Sequence, residues 1–341
     1  MNRFSFAHVI PACAIFLALC CRLNAFDKAA LEAASLSFEE KYGECAAVIL
    51  ETSCARIEYV HNRSCAIEQR FPPGSIVKVF SSVVLLEHAA EWNFSPSDTV
   101  DCKGIFVPSK EYSFTGWDGS IFNLRESNGI KGFGCSLRSG HGKVDLGSAL
   151  ARSCNSYFLT RASMSPSFYN ELVSTWKLDT DPVSGRAYAK EQITPFMRIA
   201  AAIGEGGAVR LSPLKVAQCF SSLYEGTPLL IPSDNGSAKV QASLAIGEMS
   251  RRFTVSSLSR TLIGGTLRAL DYKGVKVLGG KTGTGTHYRR KYIHHGWVAL
   301  VFEKDSKRYC LVALVMNGSG SKEAARYAEA LLGGIGAGGV K

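Results

Sequence analysis

Residues 72–80 read Pro72-Pro73-Gly74-Ser75-Ile76-Val77-Lys78-Val79-Phe80. A serine stands three positions before a lysine, directly after a Pro-Pro-Gly break and at the start of an apolar run. Residues i and i+3 share one helix face, so Ser75 Oγ and Lys78 Nζ can meet. A serine at a helix N-terminus also feels the positive end of the dipole, which favours developing negative charge. The pair reads as nucleophile and base, or as a cap and a surface lysine. A second copy, Ser212-Pro213-Leu214-Lys215, and a stray Ser233-Asp234-Asn235 leave the choice to the rest of the chain.

Two other short motifs follow in order: Ser153-Cys154-Asn155 and Lys281-Thr282-Gly283-Thr284. A lysine acts as base only if burial or another cation lowers its pKa, and Lys281 is such a cation. Ser153 can relay a proton from Lys78 to a leaving amine. Asn155 offers a donor and an acceptor to a substrate amide. Thr282, Gly283 and Thr284 read as a strand edge where glycine admits another backbone, so a peptide substrate can add as a further strand. The amides of Ser75 and Thr284 are the expected oxyanion hole. Ser212, followed by Pro213, reads as an N-cap, and Ser233-Asp234-Asn235 between Pro232 and Gly236 as a turn.

With 341 residues, 46% of them hydrophobic and 20% charged, the chain is long enough for a sizeable core. Residues 1–25 read as a signal peptide: Arg3, an apolar run from Val9 to Cys21, and Leu23-Asn24-Ala25 as a cleavage site, with a retained anchor as the other reading. Export to the periplasm or cell envelope is the expectation. The formal charge is +10, and +8 without Arg3 and Arg22. In an exported protein that balance suits an anionic wall polymer better than nucleic acid.

Export makes disulfides possible. Cys45, Cys219 and Cys310 lie in apolar runs and read as buried thiols, whereas Cys54, Cys65, Cys102 and Cys135 stand among polar residues. A Cys102–Cys135 bond is the expected pairing, with Cys54–Cys65 as its rival. No Cys-x-x-Cys occurs, so zinc and thioredoxin-like chemistry are poorly supported; no metal and no cofactor are expected. His141 reads as a loop or packing histidine, and Arg289-Arg290-Lys291 as a basic hairpin tip near one end of the proposed cleft.

Strand patterns fall at both ends: Cys45–Leu50 and Arg56–Val60, then Val275–Gly283, Gly296–Phe302 and Tyr309–Met316. Helical patterns cover 27–41, Ser75 to about Glu91, Leu146–Thr160 with a break at 153–155, Phe253–Leu270 and Ala324–Leu332. The expected fold class is α+β. One antiparallel sheet is built from N- and C-terminal strands and flanked by helices, with a helical insertion over about 91–250 inside a single domain, 26–341.

The three motifs in this order, from about residue 44 to 333, resemble the penicillin-binding protein transpeptidase domain of the serine D,D-peptidase and β-lactamase superfamily. The likeness extends to Phe71-Pro72-Pro73-Gly74, to Gly140-His141-Gly142-Lys143-Val144-Asp145-Leu146, to Ile203-Gly204-Glu205-Gly206 before Leu211-Ser212-Pro213, and to His295-Gly296-Trp297-Val298. It implies a serine D,D-transpeptidase or carboxypeptidase that acts on D-Ala-D-Ala stem peptides of peptidoglycan and takes up β-lactams on Ser75. The large N-terminal module common in that family is not expected in the roughly 18 residues after Ala25. A β-lactamase, or an idle sensor of the same fold, is the alternative. No Glu-x-x-Leu-Asn segment is found to activate a deacylating water.

Overall fold

A computed structural model describes residues 26–108, 124–127, 130–189, 191–237, 239–289 and 291–337. The expected signal peptide and Arg290 lie outside them, as do the side chains of Arg289 and Lys291. Helix α1 (Lys28–Tyr42) leads into β1 (Cys45–Glu51) and β2 (Arg56–His61), and α2 (Val77–Glu87) follows. Five short strands come next: β3 (Val100–Cys102), β4 (Ile105–Phe106), β5 (Leu124–Ser127), β6 (Ile130–Gly134) and β7 (Gly142–Val144). Then come α3 (Leu146–Arg152), α4 (Asn155–Ser163), α5 (Phe168–Trp176), α6 (Pro195–Ala200) and α7 (Pro213–Glu225). The chain closes with β8 (Leu229–Ile231), β9 (Lys239–Ala242), α8 (Glu248–Ile263), β10 (Lys276–Arg289), β11 (Lys291–Lys304), β12 (Lys307–Met316) and α9 (Glu323–Ala337).

Strands from the two ends of the chain form one antiparallel sheet in the order β10-β11-β12-β1-β2. Its middle strands are apolar over Cys45–Leu50, Trp297–Phe302 and Tyr309–Met316, where both faces are covered. Along β12, Cys310, Val312 and Leu314 face the core shared with α2 and α7, while Leu311, Ala313 and Val315 face the core under α1 and α9. Strand side chains alternate, so a strand with two buried faces must be apolar at every position. Tyr59 and Tyr327 bracket Ser35 at 2.8 and 2.7 Å and satisfy that hydroxyl inside the second core.

The fold is the expected α+β architecture, with differences at element ends. Strands β10 and β11 run well past the expected Val275–Gly283 and Gly296–Phe302, because their backbones stay paired through Tyr288↔Tyr292. Pairing there needs no apolar side chains, so the sequence pattern did not carry it. Helix α8 stops at Ile263 rather than Leu270, where Gly264 and Gly265 end it. The loop-rich stretch before α3 holds a two-stranded sheet, β3–β7, and a three-stranded one, β4–β6–β5.

Candidate active site

Gly74–Ile76 forms one 3₁₀ turn before α2, so Ser75 sits just ahead of the helix and not within it. Two glycines hold that turn against its neighbours. Gly74 has φ +52°, and a Cβ there would lie 2.2 Å from the carbonyl oxygen of Thr284. Gly204 has φ +73°, and its Cβ would lie 2.1 Å from the carbonyl oxygen of Gly74. Phe71 and Leu211 exchange backbone hydrogen bonds at 2.9 Å, and the Trp297 indole donates to the Pro72 carbonyl at 2.9 Å. The nucleophile's approach is thus fastened to both the insertion and the sheet.

Lys78 reaches Ser75 Oγ at 2.9 Å, the Ser153 carbonyl at 2.9 Å and Ser153 Oγ at 3.2 Å, and also touches Asn155 Oδ1. As an ammonium the group donates to these oxygens; once deprotonated it has a lone pair that can accept the Ser75 proton. Burial pushes the Lys78 pKa down to about 8. Lys281 donates to Ser153 Oγ at 3.0 Å and to the Thr282 carbonyl at 2.8 Å. Burial, and then the neighbouring Lys78 charge, hold its pKa well below the ordinary lysine value. Ser153 ends α3 in the left-handed conformation at φ +59°, a strained position that turns its hydroxyl between the two amines. Asn155 opens α4 and donates to the Gly134 carbonyl at 2.8 Å.

Ser75, Ser153, Asn155, Thr282, Gly283 and Thr284 line one cleft of about 280 Å³. A larger groove of about 480 Å³ beside Arg70, Tyr169 and Arg198 shares no residue with it and lacks a nucleophile–base pair. The expected site residues therefore meet, and β10, which carries Lys281, Thr282, Gly283 and Thr284, is an edge strand of the main sheet. Sequence reasoning missed Ser136, Thr266, Thr286 and Ser321 in the cleft wall. It also missed the role of Glu205, which is 2% exposed with Oε2 unpartnered, and whose pKa burial raises well above the carboxylate range against the pull of Lys78. Burial of this kind favours the protonated form of the acid, and the Lys78 charge opposes it.

The family model of the penicillin binding protein transpeptidase domain matches residues 39–333. The chain belongs to that family. A peptidoglycan glycosyltransferase from Burkholderia ambifaria is similar to this transpeptidase domain at TM-score 0.66 and 18% identity, over 91% of this chain and 95% of that one. The transpeptidase domain of penicillin-binding protein 3 from Burkholderia pseudomallei gives 0.65 and 17%, over 91% and 94%. Penicillin-binding protein A of M. tuberculosis, solved as a ceftriaxone acyl-enzyme, gives 0.66 and 18%, over 90% and 78%. A search of curated proteins finds no match.

Two expectations about cysteine fail. None of the eight cysteines among the described residues is in a disulfide, so neither Cys102–Cys135 nor Cys54–Cys65 is joined. Cys65 donates instead to Glu44 Oε1 at 3.2 Å, while Cys102 and Cys135 belong to a four-residue cluster with His141 and Cys154. His141 is in a loop, as expected, and packs on thiols, with its Nδ1 3.3 Å from Cys135 Sγ. The decoy motifs are structural: Ser212 Oγ accepts from the Lys215 amide at 3.2 Å, and Asn235 Oδ1 accepts from the Ser237 amide at 3.0 Å in a turn. Ser212→Ala is expected to cost about 1 kcal/mol in a denaturant titration and to leave penicillin labelling unchanged.

Proposed function

We propose that this transpeptidase domain is an exported serine D,D-acyltransferase acting on the D-Ala-D-Ala ends of peptidoglycan stem peptides. The observation that carries the reading is the buried Lys78 amine 2.9 Å from Ser75 Oγ, with Ser153 and Lys281 completing a proton path. Ser75 Oγ bonds to the penultimate D-alanine carbonyl carbon as its proton passes to Lys78. The C–N bond then breaks, and D-alanine leaves with a proton relayed through Ser153. An acceptor amine completes a cross-link; water completes a carboxypeptidase cycle. The stem peptide pairs along the open edge of β10 at Thr282–Thr284, and Asn155 holds its amide. Residues 1–25 supply the address to the cell envelope. A β-lactam acylates Ser75 by the same first step.

Incubation with a pentapeptide, with and without an acceptor amine, checks this by product mass. Release of D-alanine coupled to a cross-linked dimer supports the reading, and an unchanged peptide overturns it. The pH dependence is set by Lys78. Its folded pKa lies below the ordinary lysine value, so the basic form grows as pH rises. The acylation rate is expected to climb about tenfold per unit below pH 8 and to level above it. A flat profile in stopped-flow labelling from pH 6 to 9 argues against Lys78 as the base.

A further inference from the structure

Behind the cleft, Cys102 at the end of β3, Cys135 just after β6, His141 before β7 and Cys154 before α4 converge. Their three Sγ atoms and one imidazole nitrogen all lie within 4.8 Å of one another. Cys135 Sγ is 3.8 Å from Cys154 Sγ, and His141 Nδ1 is 3.3 Å from Cys135 Sγ and 3.6 Å from Cys102 Sγ. A tetrahedron with metal–sulfur bonds of about 2.3 Å has edges of about 3.8 Å, so these three separations suit edges of a zinc-sized tetrahedron and the others, within 4.8 Å, need only a small contraction. The three thiols are at most 2% exposed, and the part-exposed His141 leaves a way in.

We propose that Cys102, Cys135, His141 and Cys154 form a structural Cys₃His site for zinc. The donor set is soft, and its four ligands, the ones grouped there among the described residues, complete a tetrahedron, so the ion's role is to hold chain segments together. On binding, each thiol gives its proton to solvent as its sulfur–metal bond forms, and the neutral imidazole donates its lone pair. One backbone group already suits a thiolate: the Asn155 amide donates to Cys135 Sγ at 3.2 Å, and the Cys102 thiol, which donates to Ser156 Oγ at 3.4 Å, has a hydroxyl beside it that can turn to donate once the thiol is deprotonated. Such outer contacts are typical around metal-bound sulfur. Cys154 stands between Ser153 and Asn155, so the ion ties their turn to the β3–β7 and β6 segments. The site stands on this geometry alone, whichever substrate the cleft takes.

The test uses the full chain purified under reducing conditions from zinc-supplemented medium. Elemental mass spectrometry is expected to find about one zinc per chain. Replacement by cobalt(II) is expected to give intense tetrahedral d–d bands and a thiolate-to-cobalt band from three sulfurs. Cys102→Ser should remove about a third of that band, while Cys219→Ala, at a buried thiol elsewhere, leaves it whole. Chelation should lower Tm, and zinc but not magnesium should restore it. Where a ligand variant does not fold, the wild-type cobalt spectrum decides by itself. Zinc no higher than the buffer blank with no thiolate-to-cobalt band overturns the proposal. So does peptide mapping of the untreated native protein that finds any two of Cys102, Cys135 and Cys154 disulfide-bonded.

Discussion

Ser75→Ala is expected to abolish labelling by a fluorescent penicillin, and Lys78→Ala to slow it by about 10²–10⁴-fold. The reason is local. Lys78 Nζ is 2.9 Å from Ser75 Oγ and is completely buried, so no solvent base can substitute for it. The acyl adduct on the wild-type chain is expected to persist for minutes or longer, because sequence reasoning finds no residue to activate a hydrolytic water. Intact-mass measurement followed by tryptic mapping reads both outcomes. An adduct on Ser212, or label retained by Ser75→Ala, refutes the active-site assignment. An adduct that clears within a second replaces the acyltransferase reading with a β-lactamase.

The second large effect is expected at Gly204, outside the three motifs. An alanine there must adopt φ +73° and place Cβ 2.1 Å from the Gly74 carbonyl oxygen. The left-handed conformation alone costs about 1 kcal/mol or more, and the backbone clash cannot be relieved by turning a side chain. Gly204→Ala is therefore expected to lose about 3 kcal/mol and several degrees in Tm. Because Gly74 precedes Ser75, the same shift moves the nucleophile away from Thr284. Acylation of the folded fraction should fall more than tenfold. Unchanged Tm and unchanged labelling would show that the turn yields without harm.

Alternating and continuous apolar runs in Cys45–Leu50 and Tyr309–Met316 announced the sheet, since a strand buried on both faces has no other composition. The i, i+3 spacing of Ser75 and Lys78 announced their contact, because one helical turn closes that distance whatever surrounds it. Ser212 was legible as a cap for the same local reason: its partner is the Lys215 amide three residues on. These features depend on separations that the backbone's own geometry spans.

What only the tertiary structure decided depends on contacts between distant segments. Ser153 joins Lys78 and Lys281 only because α3 ends between α2 and β10, and Glu205 feels the Lys78 charge from another loop. The depressed lysine pKa values follow from burial, which no motif encodes. The cysteines show the limit most plainly. Polar neighbours and an oxidising compartment suggested a Cys102–Cys135 disulfide, and the absence of Cys-x-x-Cys argued against a metal. Spacing rules of that kind apply to ligands presented by a single turn. Here four ligands come from four segments between residues 102 and 154, and only the packing of β3, β6 and β7 against the start of α4 brings three sulfurs and an imidazole within 4.8 Å of one another.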